Sequence, residues 1–432
     1  MLLLSCGKQQ TLQGIFNQKR TPHETYSHRL RQSRLDQTAL GRDWLAAADR
    51  ALQDSLVVTL PFRETGLFRA DQAMAASYRY AVRAGEKINI ALTVEPASTD
   101  VHVFVDAFEL SPDDNRLRPV ASADTASRAF SYVAEDDRQH VLRVQPELLR
   151  SGRFTVRIQR SPSLAFPVKG KSDAAAGSFW GADRDNGARR HEGIDIFAKR
   201  GTPVVAAAPG MITRVGETPR GGLVVWLADA THGQHLYYAH LDKQLVQAGQ
   251  IVKTGDTLGL VGNTGNARST PPHLHFGIYR GGYGAIDPFP SVRNADKEPA
   301  APRTSPERLG QWVRLTDSRT VLRTVPAAAK PARKTPGLPR HTPLLVVGAT
   351  ADWLRVQSPS GQLGYVPASV VSTEALRREA LPAAADLLSH PTATAAPLDT
   401  VPANGRVAVL GEWSGYRLVR NATGQIGWLR TT

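Results

Sequence analysis

The sequence predicts a mainly β chain divided into several domains. Its 432 residues correspond to about three domains at roughly 150 residues each. Short segments with alternating apolar and polar residues outnumber segments with a helical period. A unit of about 60 residues occurs twice near the C-terminus. Hydrophobic residues at 41% and charged residues at 21% exclude a wholly disordered chain.

The first residues, 1–6, form an apolar stub that ends in Cys6, the single cysteine of the chain. This stub is similar to the lipobox of bacterial lipoproteins, and we interpret it as the remnant of a lipoprotein signal. The resemblance implies a lipid anchor on Cys6 and a periplasm-facing place in the cell envelope; without the anchor, we expect a periplasmic or secreted protein. The alternative is an N-terminus with one stray thiol. One cysteine excludes a disulfide framework, and no run of about 18 apolar residues offers a membrane-spanning helix.

Residues 7–54 are predicted to form a tether followed by one helix. The tether covers residues 8–32, which are polar and basic and have no sustained period. The helix follows from apolar residues at three-to-four spacing between Leu35 and Leu52.

A β-sandwich is predicted over residues 55–162, where the period changes to two. Six short strands separated by turn residues favour this architecture. They are centred on residues 56–60, 78–82, 88–92, 101–105, 140–144 and 152–158. A second β-rich region, rich in glycine, covers residues 163–292, and a Pro/Ala/charge-rich linker covers 293–307.

The C-terminal part contains an internal repeat with a constant offset, since 416 − 353 = 63 and 424 − 361 = 63. We place the two copies at 308–373 and 391–432, with a linker at 374–390. The Gly-x-x-Gly-aromatic-apolar pattern at the end of each copy resembles bacterial SH3-like domains, small barrels that commonly target enzymes to the cell wall. The alternative is a pair of β-repeats that only pack on the rest of the protein.

Three short segments of the central region carry the candidate chemistry: 191–195 (HEGID), 238–241 (YAHL) and 272–277 (PHLHFG). A catalytic zinc site without cysteine takes three ligands from imidazole and carboxylate groups. His273 and His275 are two apart in a β-prone run, so both rings point to one face of a strand. The spacing of His191 and Asp195 alone is weak evidence, because His102 and Asp106 share it inside an alternating strand. We expect His102 and Asp106 to be sheet-surface residues of the sandwich.

The region from about residue 177 to 288 resembles the lysostaphin/LytM-type zinc peptidases. The further segments that carry this resemblance, in the order of the family, are 201–210 (GTPVVAAAPG), 248–256 (AGQIVKTGD), 261–265 (VGNTG) and 287–288 (DP). The full fold class is therefore mainly β and multidomain, with an N-terminal β-sandwich, a central LytM-type β-rich peptidase domain and two C-terminal SH3-like barrels.

The resemblance implies that His191, Asp195 and His275 bind one zinc ion per chain, and that His240 and His273 are catalytic histidines that do not bind the metal. The implied function is zinc-dependent hydrolysis of peptide bonds in bacterial peptidoglycan, in stem peptides or cross-links, during wall remodelling or division. The alternative is a catalytically inactive relative that binds and activates cell-wall amidases. All five positions are present, which argues against it.

The basic balance of the chain, with 53 Lys and Arg against 39 Asp and Glu, gives a net charge of +14. The basic residues are spread over tether, loops and linkers without a nucleic-acid-binding motif, so we expect no nucleic-acid partner. Diffuse attraction to an anionic cell envelope fits this charge better.

Overall fold

The computed structural model describes residues 20–53, 56–95, 101–124, 126–328 and 336–431. Cys6 and residues 8–19 lie outside the described residues. The described chain is mainly β, as predicted. It contains three α-helices, Pro22–Gln32, Ala39–Gln53 and Phe289–Val292. Short 3₁₀ turns occur at Leu35–Gln37, Asp173–Ala175, Asp185–Gly187, Gly265–Ala267, Pro306–Arg308 and Ala368–Val370. None of the helices in these ranges is long and apolar enough to span a membrane.

The first helix, Pro22–Gln32, corrects the prediction that the tether extends to residue 32. Thr21 caps this helix and forms a capping box with Glu24. Its buried face consists of His23, Ser27 and Leu30. Because two of these side chains are polar, the helix has no apolar period that a sequence reading could detect. The second helix confirms the predicted amphipathic segment and buries Trp44 against the sandwich.

The N-terminal sandwich consists of two sheets around one apolar core. One sheet contains, in spatial order, Leu56–Val57, Ala76–Val82, Arg138–Pro146, Val103–Leu110 and Leu117–Ser122. The second contains Phe62–Phe68, Gly152–Pro162, Glu86–Glu95 and Ala129–Val133. All six predicted strands are confirmed. The prediction that Asp106 lies on the sheet surface is wrong, because its carboxylate is buried and pairs with Arg143 at 2.8 Å.

The sheet of the sandwich continues into the C-terminal part of the chain. Its edge strand Phe62–Phe68 pairs antiparallel with Pro343–Thr350, with Thr65 opposite Ala349. At this junction the carboxylate of Glu64 is fully buried and accepts hydrogen bonds from Tyr78, Tyr365 and Arg355. The first C-terminal unit is therefore attached to the sandwich by both backbone pairing and a buried polar cluster. Its strands are Trp312–Leu315, Pro343–Thr350, Trp353–Gln357, Leu363–Pro367 and Val371–Ser372.

The internal repeat is visible in the strand boundaries. Three consecutive strands of the first unit start at residues 343, 353 and 363, and their counterparts start at 406, 416 and 426, an offset of 63 each time. The predicted linker 374–390 is wrong, because it contains two strands of the second unit. That unit consists of Arg377–Ala380, Ala385–Leu388, Pro397–Val401, Arg406–Trp413, Tyr416–Arg420 and Ile426–Arg430. Alternating small and charged residues such as Arg378 and Ala380 lack the apolar side chains that mark a strand.

The central domain is built on one large, mostly antiparallel sheet. Its main path is Ala176–Ser178, Ile194–Phe197, His273–Arg280, Gln234–Gln244, Gly222–Asp229, Gly210–Thr218 and Ile251–Val252. The remaining strands are Asp183–Arg184, Arg189–Arg190, Pro203–Val205, Thr257–Val261 and Gly284–Ile286. Along the strand His273–Arg280, the side chains of Leu274, Phe276 and Ile278 enter the domain core. Strand alternation therefore places His273 and His275 on the opposite face.

Contacts to the sandwich hold the C-terminal end of the central domain. Arg83 pairs with Asp287 at 2.6 Å, and Arg293 contacts the buried carboxylate of Glu86 at 3.4 Å. Asp296, just beyond the domain, accepts hydrogen bonds from the backbone and side chain of Arg160.

Candidate metal and catalytic site

Three side chains of the central domain form a compact cluster of ligand atoms. Nε2 of His191 lies 3.0 Å from Oδ1 of Asp195 and 3.0 Å from Nδ1 of His275. The remaining pair, Nδ1 of His275 and Oδ1 of Asp195, is separated by 3.1 Å. The structure thus brings together the three residues that the sequence analysis selected as metal ligands, and within the described residues they form the one such group.

Strand pairing explains how Asp195 and His275 meet. The strands Ile194–Phe197 and His273–Arg280 are antiparallel neighbours, and Asp195 stands directly opposite His275. Cross-strand partners have Cβ atoms about 4.5–5.5 Å apart, within reach of two short polar side chains. Gly193 permits this approach, because a Cβ atom there would lie 2.5 Å from the carbonyl oxygen of Phe276 and 2.8 Å from the ring of His275.

Backbone carbonyl groups set the orientation of three histidine rings. Nδ1 of His191 donates to the carbonyl oxygen of Phe179 at 2.9 Å. Nδ1 of His273 donates to that of Pro271 at 2.8 Å, and Nδ1 of His240 donates to that of Thr264 at 2.9 Å. A carbonyl oxygen accepts only, so the proton of each neutral ring is on Nδ1. Nε2 of each ring is consequently left with a lone pair for a metal ion or a proton.

His240 and His273 stand beside the ligand cluster. The ring centroid of His240 lies 5.0 Å from that of His273 and 5.8 Å from that of His275. Nε2 of His273 is 3.9 Å from Oδ1 of Asp195, farther than any distance within the cluster. The two histidines that the sequence analysis assigned to catalysis therefore lie next to the three ligand atoms without joining them.

The backbone of His240 has a left-handed conformation, with φ of 60°. Its N–H donates to the carbonyl oxygen of Gly221 at 2.7 Å, and the strand pairing shifts register near this residue. This irregularity interrupts the regular alternation of Gln234–Gln244. A non-glycine residue in this region is strained, and such strain is common where a side chain must be aimed at a functional site.

The protonation states in the cluster suit metal binding. Burial alone would raise the pKa of the Asp195 carboxyl, but hydrogen bonds and charge interactions with His191 and His275 outweigh it and hold the pKa well below its usual range. Burial lowers the pKa of His275, and burial together with the neighbouring histidines lowers the pKa of His240 to about 4. At neutral pH Asp195 is therefore a carboxylate and His275 a neutral imidazole, the states in which these side chains bind a metal ion.

The donor set fits a zinc ion with an open coordination position. Tetrahedral zinc with bonds of about 2.0–2.2 Å holds its ligand atoms roughly 3.3–3.6 Å apart. The observed 3.0–3.1 Å separations are close to this range. Two nitrogen atoms and one oxygen atom are a ligand set typical of catalytic zinc, in which substrate or water takes the fourth place. The site lies in a cleft of about 580 Å³, lined by Tyr237, Tyr279 and the five site residues.

Arg184 and Ser178 were not identified from the sequence. Nη2 of Arg184 donates to Oδ2 of Asp195 at 2.8 Å and to Oγ of Ser178 at 2.6 Å. Arg184 ends a short strand just before the sequence Asp-Asn-Gly, which turns the chain back to His191. An Asn-Gly pair is a typical hairpin signal and could have indicated that Arg184 lies near the site.

Comparison with known proteins identifies the central domain. The model of Peptidase family M23 matches residues 189–288. The L-Ala–D-Glu endopeptidase of Bacillus subtilis is 37% identical over 140 residues, which are 30% of this chain and 43% of that protein. The DD-carboxypeptidase/endopeptidase Mpg of Neisseria meningitidis serogroup B is 40% identical over 114 residues, which are 25% of this chain and 26% of that protein. The chain thus spans less than half the length of these relatives.

A solved structure shares the same region. The catalytic domain of lysostaphin from Staphylococcus simulans is 34% identical, with a TM-score of 0.25, and the match covers 26% of this chain and 88% of that domain. The resemblance stated from the sequence motifs is confirmed by the family match, and zinc is the metal of this family. Residues 189–288, which include all five site residues, therefore belong to peptidase family M23.

Proposed function

We propose that this protein is a zinc-dependent endopeptidase that hydrolyses peptide bonds in bacterial peptidoglycan. The observation that carries the proposal is the geometry of the site, in which three ligand atoms lie 3.0–3.1 Å apart. Two further histidines lie beside them. Each bonds a backbone carbonyl group through Nδ1, so its Nε2 atom remains available. In this proposal His191, Asp195 and His275 hold one zinc ion per chain, and His240 and His273 are the catalytic bases and acids.

Bound zinc would supply Lewis acidity, which polarises the carbonyl group of the scissile bond and makes water a stronger acid. The remaining steps belong to side chains of the protein. His240 is neutral at physiological pH, since its pKa is lowered to about 4, and its Nε2 can accept the proton of the attacking water. His273, oriented by the carbonyl group of Pro271, can hold the developing oxyanion by donation from Nε2 once that atom is protonated. Either ring can then pass a proton to the departing amine.

The names of the relatives support a substrate of this kind. One is named an L-Ala–D-Glu endopeptidase and another a DD-carboxypeptidase/endopeptidase. Both names describe peptides that contain D-amino acids, which are characteristic of peptidoglycan. The two names also describe different bonds. We therefore propose only the substrate class, and the experiment identifies the bond that this protein cleaves.

We propose that the two C-terminal units are SH3-like domains that bind the cell wall. The 63-residue offset of their strands supports a duplicated module. The attachment of the first unit to strand Phe62–Phe68 favours a fixed position beside the sandwich over a mobile one. We also propose that the protein acts outside the cytoplasm, in the cell envelope, anchored by a lipid on Cys6.

A catalytically inactive adaptor is the less favoured function. An adaptor has no need of complete ligand and base positions, whereas all five side chains converge here. Nothing in the site replaces a histidine or fills the cluster with an apolar side chain.

The experiment that tests the proposal is release of soluble peptides from purified, dye-labelled sacculi. We expect release by the wild-type protein, loss of release after a chelator, and recovery after zinc is added back. The matched control is His235→Ala, which changes an exposed histidine on the same strand as His240 and should leave release unchanged. Zinc-loaded wild-type protein that releases nothing would contradict the proposal and favour the adaptor.

A further inference from the structure

The guanidinium group of Arg184 contacts both Asp195 and Ser178 at the edge of the candidate metal site. Its Nη2 atom lies 2.8 Å from Oδ2 of Asp195 and 2.6 Å from Oγ of Ser178. Ser178 in turn lies 3.4 Å from Nδ1 of His191. Arg184 and Ser178 thus reach, from outside the ligand triangle, two of the three proposed ligands.

The two oxygen atoms of Asp195 have different partners. Oδ1 faces the ligand cluster, 3.0 Å from His191 and 3.1 Å from His275. Oδ2 faces away and accepts the hydrogen bond from Arg184. A charge-assisted bond of this length fixes the plane of the carboxylate. The carboxylate is therefore oriented to offer one oxygen atom, rather than both, to a metal ion.

The backbone around Arg184 holds its side chain in place. Arg184 lies in a two-strand hairpin, where it stands opposite Arg189. The turn contains two consecutive non-glycine residues in the left-handed region, Asp185 and Asn186. Asp185 pairs with Arg189 at 2.6 Å, and Asp183 pairs with Arg190 across the hairpin. The hairpin ends at His191, so it connects the arginine directly to the first proposed ligand.

We propose that Arg184 is a positioning residue, which sets the orientation of Asp195 so that the carboxylate binds zinc through Oδ1 alone. With Oδ2 held by Arg184, Oδ1 stays directed at His191 and His275, where it can serve as a metal ligand. Partners of metal ligands of this kind typically change metal affinity by about 10–100-fold when removed. The inference rests on the metal site of the proposed function.

The direction of the change in zinc affinity distinguishes a positioning role of Arg184 from a simple effect of its charge. A positive guanidinium repels a divalent cation, so removal of its charge alone would strengthen zinc binding. Loss of positioning has the opposite effect, because Asp195 is then free to rotate away from the ligand triangle. A lysine keeps the charge but cannot present a planar fork of donors to Ser178 and Asp195 together.

The test measures zinc affinity of the full chain by competition with a chromophoric chelator, for wild type, Arg184→Gln, Arg184→Lys and the matched control Arg189→Gln. We expect Arg184→Gln to weaken binding about 10–100-fold and Arg184→Lys to weaken it less. Arg189→Gln, in the same hairpin but paired with Asp185, should stay within about threefold of wild type.

Equal or tighter zinc binding by Arg184→Gln would overturn the inference. Far-ultraviolet circular dichroism of each metal-free variant checks the fold, and Ser178→Ala offers a milder change that should weaken zinc binding in the same direction. If Arg184→Gln does not fold, Ser178→Ala with wild-type affinity overturns the inference. Wild-type protein that binds zinc but does not cleave peptidoglycan would contradict the proposed function and leave this inference standing, so the two failures are distinguishable.

Discussion

Asp195 and His275 stand directly opposite each other on neighbouring antiparallel strands, with Oδ1 and Nδ1 3.1 Å apart. The register of the two strands places them opposite each other. His191 joins them through the short Gly193 segment. We expect His191→Ala, Asp195→Ala and His275→Ala each to abolish stoichiometric zinc binding, measured by elemental analysis of the dialysed protein. His235→Ala should keep one zinc per chain. Retention of one zinc per chain by any of the three variants would contradict the assignment.

The two proposed catalytic histidines should behave differently from the proposed ligands. His240→Ala and His273→Ala remove groups that lie beside the ligand triangle, so zinc binding should remain near one ion per chain. The turnover number on peptidoglycan fragments should fall by about 10²–10⁴-fold, the range typical of a lost general acid or base. A variant at either position that loses its zinc would show that the residue acts as a ligand instead.

Gly193 permits the close approach of two strands, and this can be tested with one methyl group. In Gly193→Ala the added Cβ would lie 2.8 Å from the ring of His275, so we expect weaker zinc binding with little change in the circular dichroism spectrum. Gly281→Ala is the matched control, because a Cβ atom there meets nothing within 4 Å. Equal zinc affinity in the two variants would contradict the proposed role of Gly193.

The junction between the sandwich and the first C-terminal unit depends on a buried ion pair. Arg355→Met leaves the Glu64 carboxylate buried without its cationic partner, and we expect a loss of about 3–5 kcal/mol in the free energy of unfolding, measured with urea. Arg303→Met breaks the exposed pair with Asp352 and should cost about 1 kcal/mol or less. Similar losses in both variants would argue against a special role for the junction.

Because of two buried histidines in the sandwich region, we expect the free energy of unfolding to decrease at acidic pH. Burial lowers the pKa of His23 to about 3 and that of His140 to about 4. Both rings are neutral in the folded state at pH 5, whereas in the unfolded chain they bind protons below about pH 6.5. Stability is therefore complete above pH 6.5 and falls as the pH decreases toward 4, by up to about 1.4 kcal/mol per pH unit for each group. Urea unfolding between pH 5 and 7.5 should show a shallower slope for His140→Gln than for wild type; equal slopes would contradict this.

The sequence allowed the site to be predicted because its chemistry is concentrated in short motifs. Alternation in the run from His273 to Ile278 was enough to place two histidines on the face opposite the core. Arg184 was missed because the Asn-Gly pair indicates only a turn after it, whereas its contact with Asp195 depends on the left-handed backbone at Asp185 and Asn186. The orienting carbonyl groups were missed for a similar reason, since any residue type carries a carbonyl group.

The fold was predictable where apolar residues alternate and was missed where polar residues are buried. The strand Phe62–Phe68 contains Glu64, which reads as a solvent-facing residue but is buried against Arg355 of a distant segment. The helix Pro22–Gln32 buries His23 and Ser27 through hydrogen bonds rather than through an apolar face. In both cases the polar side chain is buried against partners far away in the sequence. A local sequence pattern carries no information about those partners.

The central claim is most directly tested by mass analysis of muropeptides after purified sacculi are incubated with the zinc-loaded protein. We predict new fragments whose masses correspond to hydrolysis of one type of peptide bond, absent with His240→Ala and absent after chelation. The same digest would identify the bond. Unchanged muropeptides after incubation with protein that retains one zinc ion per chain would contradict the account.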